Sequence, residues 1–179
     1  FDGLKGPAAA RRAALEESRK WHQLAFDVDC ELQWIAEKKP IASSEDTGRN
    51  LTEALNMVKK QDQLEAEVHQ HSGHIEGTIN QGEALIRGGH SAAKQIKDKC
   101  EQLAGAWAHL AHLVRRRRQV VDWGVKEQQY MFDAAEVESW MNEKRAALES
   151  DNYGQDEDAA QKLLAKHRAL QKDMQTYRQ

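Results

Sequence analysis

The sequence predicts an all-α fold: tandem left-handed three-helix coiled-coil bundles joined by a continuous helix. Three observations predict it. Apolar residues recur at heptad spacing, the chain aligns with itself at a shift of 106 residues, and turn-forming residues are confined to short stretches. The shift places Phe26 on Phe132, Asp27 on Asp133, Trp34 on Trp140, Glu37 on Glu143 and Lys38 on Lys144. It also places Ser44 on Ser150, Gly48 on Gly154, Ala54 on Ala160, Lys60 on Lys166 and Leu64 on Leu170. Chance would give roughly three such identities over this ungapped stretch.

The elements follow in order. Residues 1–23 align with the later third helix, Phe1 on Trp107, Leu4 on Leu110, Arg11 on Arg117 and Leu15 on Val121. They are expected to be the tail of a third helix from a preceding repeat, frayed or bent at Gly3, Gly6 and Pro7. Residues 24–129 form one complete repeat. Its first helix carries the stripe Phe26, Cys30 and Trp34. After Pro40, the turn Ser43–Gly48 leads into the second helix, with Asp46 or Thr47 as the expected cap. The second stripe runs Leu51, Leu55, Val58 and then Leu64, Val68, His71, Ile75, Ile79, so the apolar face is expected to change near Gln61. Gly88–Ser91 ends the second helix, and Ser91 is the expected N-cap of the third. The third stripe is Ile96, Cys100, Leu103, Trp107, Leu110, Val114 and Val121, with Arg117 in the remaining slot. No proline occurs from Ser91 to Leu148. Gly105 and Gly124 cost only about 1 kcal/mol each relative to Ala. A single helix of about 58 residues, about 87 Å long, is therefore expected to run into the next repeat. Residues 130–179 supply that repeat's first helix and part of its second.

Composition narrows the function. The 179 residues are 31% charged with a net charge of −3, which does not suggest nucleic acid as a partner. Mean hydropathy is −0.84 and no apolar run approaches the ~20 residues of a membrane span. Two cysteines make no disulfide framework and fit a reducing, intracellular setting. The chain starts at Phe1 and reads as an excised piece of a longer protein.

These residues resemble the spectrin repeat. The similarity lies in Phe26-Asp27, then Trp34-Ile35 and Glu37-Lys38, repeated as Phe132-Asp133, Trp140-Met141 and Glu143-Lys144. It also lies in the Ser44–Gly48 and Ser150–Gly154 turns, in Leu64–Val68 with His71, and in Gly89–Ala92 with Ile96, Leu103 and Trp107. Glu138 stands where the first copy has Leu32, with Val137 as the nearby apolar substitute. The resemblance implies a structural rod segment of a membrane-skeleton protein, an elastic spacer and actin-crosslinking scaffold at the cytoplasmic face of the plasma membrane. The implied partners are a second spectrin-like chain laterally, actin and ankyrin through the parent protein, and membrane only peripherally. The alternatives are a repeat that docks one specific protein, such as ankyrin, or a chain-pairing partial repeat. Apolar stripes left open at both ends of the chain could also drive head-to-tail self-association.

Candidate residues follow from the stripes. Phe26, Trp34, Leu64, Ile75, Leu103, Trp107, Leu110, Phe132 and Trp140 are expected in the core. Trp21 and Trp123 lie off the stripes, near the repeat junctions. Arg115, Arg116 and Arg118 could contact anionic lipid or an acidic partner, but a solvated helix face is the favoured reading, and the net negative charge of the chain weakens the lipid alternative. Arg117 is expected to lay its stem on the core and reach a carboxylate. The histidine pairs His71/His74 and His109/His112 have i, i+3 spacing but lack the other ligands of a metal motif. No nucleophile–base set or phosphate loop is present in the sequence. Neither an enzyme nor a cofactor is expected.

Overall fold

The computed structural model describes residues Asp2–Tyr177. Phe1, aligned above with Trp107, and Arg178 and Gln179, in the expected partial repeat of residues 130–179, lie outside the described residues. After a 3-10 turn at Asp2–Leu4 come four helices: α1 (Lys5–Ala42), α2 (Leu51–Arg87), α3 (Ala93–Leu148) and α4 (Glu157–Tyr177). There is no strand among the described residues. The chain divides into two compact units, Phe1–Gln128 and Gln129–Gln179, and α3 passes through the division without interruption.

The expected fray at Gly3–Pro7 is not what forms: the backbone is α-helical from Lys5. Pro7 sits in the first turn, where its missing N–H would have had no intrahelical partner.

Three seams build the first unit, each stepping strictly by threes and fours. On α1 the seam is Trp21, Leu24, Val28, Glu31, Ile35, Lys38 and Ala42, of which Leu24, Val28, Ile35 and Ala42 are buried. On α2 it is Ala54, Met57, Gln61, Leu64, Val68, His71, Ile75, Thr78 and Gly82. On α3 it is Ile96, Cys100, Leu103, Trp107, Leu110, Val114, Arg117, Val121 and Gly124. Heptad seams of this kind coil left-handed, because seven residues fall slightly short of two full helical turns.

Two expected stripes are corrected. Phe26 is 65% exposed and Cys30 is exposed, because the α1 seam runs through Leu24 and Val28 and puts residue 26 on the opposite face. Leu55 is 47% exposed, and the α2 seam keeps one face throughout; it passes through Gln61 rather than shifting there.

The turns are also capped differently from the expectation. Asn50, not Asp46 or Thr47, caps α2: its side chain accepts from Glu53 N, and the Glu53 carboxylate accepts from Arg49 N. Asp46 instead accepts from Gly48 N, and Gly48 has φ 84°. The next turn repeats the Asp46–Gly48 and Asn50–Glu53 bonds, but Ala159 stands at the place of Glu53 and has no carboxylate to accept from the backbone. Asn152 accepts from Gly154 N, Gly154 has φ 90°, and Asp156 accepts from Ala159 N. Before α3, the Nδ1 of His90 accepts from Ala92 N, whereas Ser91 donates outward to the Glu17 carboxylate.

In the second unit no described residue is buried. Phe132 is 49% exposed, on the same outward face as Phe26, its counterpart in the repeat. Trp140 is half-buried and Val137 is exposed.

Candidate functional site

The first unit brings most of the expected core residues together. Leu64, Ile75, Leu103 and Leu110 are buried, and Trp34 and Trp107 pack half-buried against them with ring centroids 6.3 Å apart. Trp21 also packs against this core, whereas Trp123 is 71% exposed.

The middle of the bundle holds a polar seam that periodicity alone did not show. The α1 slots between Val28, Ile35 and Ala42 are filled by Glu31 and Lys38, and both pair with α2. His71 Nε2 donates to Glu31 Oε2 across 2.5 Å, and the His71 ring stacks on Trp34 at 3.7 Å with 6° between planes. Lys38 Nζ donates to Glu67 at 2.6 Å and lies 5.5 Å from the centre of the Trp34 ring. A cation over an indole face is attracted by its quadrupole. Lys38 holds the Glu67 carboxyl below its ordinary pKa, helped by a hydrogen bond from Gln63. Gln61, buried, spends its amide on Val114 O at 3.0 Å and on Glu65 at 2.9 Å. A rule that lets charged residues occupy heptad slots on α1 would have found Glu31 and Lys38; Glu67 lies beside the α2 seam, next to Val68.

The arginine run divides by direction. Arg116 donates to Glu45 at 2.7 Å, and Arg118 reaches Asp62 at 2.5 Å and Glu65 at 2.7 Å. Both are therefore engaged within the bundle, and no continuous basic face remains; Arg115 alone of the three stays exposed with no such bond. Arg118 holds the Glu65 carboxyl below its ordinary value, and the two carboxylates raise the Arg118 guanidinium above its own. Arg117 does lie on the α3 seam, 7% exposed, but it donates to the backbone carbonyl of Asp46 at 2.6 Å, not to a carboxylate.

Small residues position the rest. A Cβ on Gly82 would stand 2.3 Å from Cys100 Sγ, and one on Gly124 would stand 2.5 Å from Thr47 Cβ. These two glycines let α2 meet α3, and α3 meet the α1–α2 turn. Burial raises the Cys100 thiol above its ordinary pKa, so it behaves as a small apolar group. Among the described residues no His, Cys, Asp and Glu group of three or more could hold a metal, and no helix is long and apolar enough to cross a membrane.

The geometry is thus a packed scaffold with charged pairs between helices. The spectrin-repeat profile matches residues 19–122 and again 125–179. The chain is 35% identical over 174 residues to a human spectrin beta chain, non-erythrocytic 5, and 36% identical over 177 residues to the Drosophila melanogaster spectrin beta chain. It is 33% identical over 177 residues to the mouse spectrin alpha chain, erythrocytic 1. These matches cover 97–99% of this chain but only 5–8% of the relatives' own lengths.

Proposed function

The chain belongs to the spectrin-repeat family, and we propose that it serves as an elastic spacer segment within a longer spectrin-like protein. The observation that carries this reading is α3, one helix from Ala93 to Leu148 that belongs to two successive units. A helix shared in this way transmits tension from one repeat to the next. Coupling in repeat arrays is mainly between neighbours, so units can open singly under load. The binding modules that such a spacer separates lie elsewhere in the parent protein. On this reading the parent pairs laterally with a second spectrin-like chain and cross-links actin at the cytoplasmic face of the membrane. The reading assigns the chain no reaction.

Pulling the chain between its ends in optical tweezers tests the proposal. The expected trace has a reversible rip for the first unit, releasing about 3.3–3.6 Å of contour per unfolded residue, and refolding on relaxation. Irreversible rupture, or no rip at all, would overturn it.

A further inference from the structure

His90, in the α2–α3 turn, is the only buried histidine among the described residues, at 7% exposed. Both of its ring nitrogens are committed, in opposite senses. Nδ1 accepts from Ala92 N at 3.0 Å, and Nε2 donates to the backbone carbonyl of Glu17 at 2.9 Å. A backbone N–H can only donate and a carbonyl can only accept, so the geometry fixes one neutral tautomer, with its proton on Nε2. An imidazolium carries a hydrogen on both nitrogens. Its second N–H would point at the N–H of Ala92, two donors with no acceptor between them, so the ring cannot take a proton where it sits.

The ring cannot leave without consequence either. His90 N donates to Leu85 O, and His90 O accepts from Ala93 N, so the residue ties the end of α2 to the start of α3. Next to it, Ser91 Oγ donates to the Glu17 carboxylate at 3.0 Å. The turn is therefore held on α1 through Glu17 alone, once by its carbonyl and once by its side chain.

The charged groups around the ring do not reward an added positive charge. From α1 come the Glu17 carboxylate, and Arg19 and Lys20, which border a groove against Ala84 and Leu85. The end of α2 carries the Glu83–Arg87 pair, and the first turn of α3 carries Lys94. Four cations thus stand against two carboxylates.

Glu17 and His90 also belong to different parts of the repeat pattern. The 106-residue shift places residues 11–23 on 117–129 of α3, a third helix, and the first match to the repeat profile begins only at residue 19. The His90 turn lies well inside that match. Its two bonds to Glu17 are therefore bonds from one repeat to the helix that leads into it.

We propose that His90 is a proton-sensitive latch between successive repeats: neutral, it locks the α2–α3 turn onto the incoming helix at Glu17; protonated, it releases the turn. An imidazole released to water takes up its proton near pH 6.5. Only the open turn can bind that proton, so opening is favoured as pH falls. Coupling between neighbouring repeats then loosens on acidification. That consequence rests on the spacer reading above, whereas the latch itself is read at the turn.

Hydrogen exchange of the Ala92 and Ala93 amides, followed by NMR on the whole chain and corrected for the intrinsic rate at each pH, tests the latch. The opening constant should rise about tenfold between pH 7.5 and pH 5.5, a range above that in which free carboxylates titrate. His90→Gln, which cannot titrate, should show no such rise. His69→Gln, which removes an exposed imidazole on α2, should keep it. The ring nitrogen signals of the wild type give a second measurement that needs no variant. They should report the Nε2–H tautomer at pH 7.5, and an imidazolium only where Ala92 has lost its protection. A ring protonated on both nitrogens while Ala92 stays protected overturns the proposal. So does an opening constant that does not change with pH, a rise that persists in His90→Gln, or one that His69→Gln removes. Failure here leaves the spacer reading standing, and failure of the pulling experiment leaves the latch standing.

Discussion

Gly82 has no side chain because Cys100 fills the place where one would stand. The sulfur lies 2.3 Å from the position of a Cβ, with Leu24 Cδ2 and Ile96 Cγ2 at 3.4 Å behind it. Gly82→Ala should therefore destabilise the chain by about 1–3 kcal/mol, the usual cost of overpacking, even though Ala is the better helix former. Adding Cys100→Ala to that variant should recover part of the loss. Urea midpoints of the two single variants and the double variant check this; strictly additive losses would remove the steric explanation. Glu65 offers a second test at this scale. Its folded pKa is depressed by Arg118, so the stability it contributes is fully present above its ordinary value of 4.5 and is lost as pH falls through the lower, folded value. Denaturation midpoints measured from pH 6 down to pH 3 should fall more steeply for the wild type than for Glu65→Gln, which has no carboxylate to protonate. Parallel curves would show the pair to be energetically idle. These residues also mark what the sequence could say. Arg117 on the α3 seam was legible from its heptad position alone. Its acceptor was not, because a backbone carbonyl donated by a distant turn leaves no side-chain signature.

Among the elements, α3 was the most legible and α1 the least. The α3 seam is apolar at nearly every slot, so its period stands out. On α1 two of seven slots hold Glu31 and Lys38, which pair with His71 and Glu67 on α2. Reading only apolar residues then selects Phe26 and Cys30, on the wrong face. Gln61 misleads in the same way on α2, since a buried amide bonded to Val114 O looks like a surface residue in sequence. The turns follow a similar logic. Ser-x-Asp-x-Gly correctly placed the α1–α2 connection, but the cap itself is Asn50, two residues beyond the glycine. Asn50→Ala should cost about 1 kcal/mol, the common loss for an N-cap. Gly48→Ala should cost more. Its φ of 84° strains any side chain by about 1–3 kcal/mol, and a Cβ would also meet Ala54 N at 2.6 Å. Thermal unfolding followed by circular dichroism should rank the two variants in that order; equal losses would show that the turn relaxes around the methyl.

The second unit carries an open groove lined by Leu148, Leu163, Leu164 and Leu170 among others. The repeat shift makes residues 5–23 of a second copy the obvious candidate to fill it, because they correspond to 111–129. The apolar register is favourable at Leu15, which stands for Val121. The charges are not. In the first unit Arg118 is held by Asp62 and Glu65, but the counterparts of those acids are Arg168 and Gln171, and the counterpart of Arg118 is Arg12. Head-to-tail pairing of identical chains would therefore set Arg12 against Arg168, and like charges across an interface suppress the wrong partner. Self-association should be weak in the wild type. Arg12→Glu should strengthen it about three- to tenfold, roughly 0.6–1.4 kcal/mol. Arg168→Glu should do the same from the other side, and the double variant should fall back toward wild type because two acids then face each other. Sedimentation equilibrium of the four proteins reads this directly. Four identical association constants would show that residues 5–23 do not enter the groove in the repeat register.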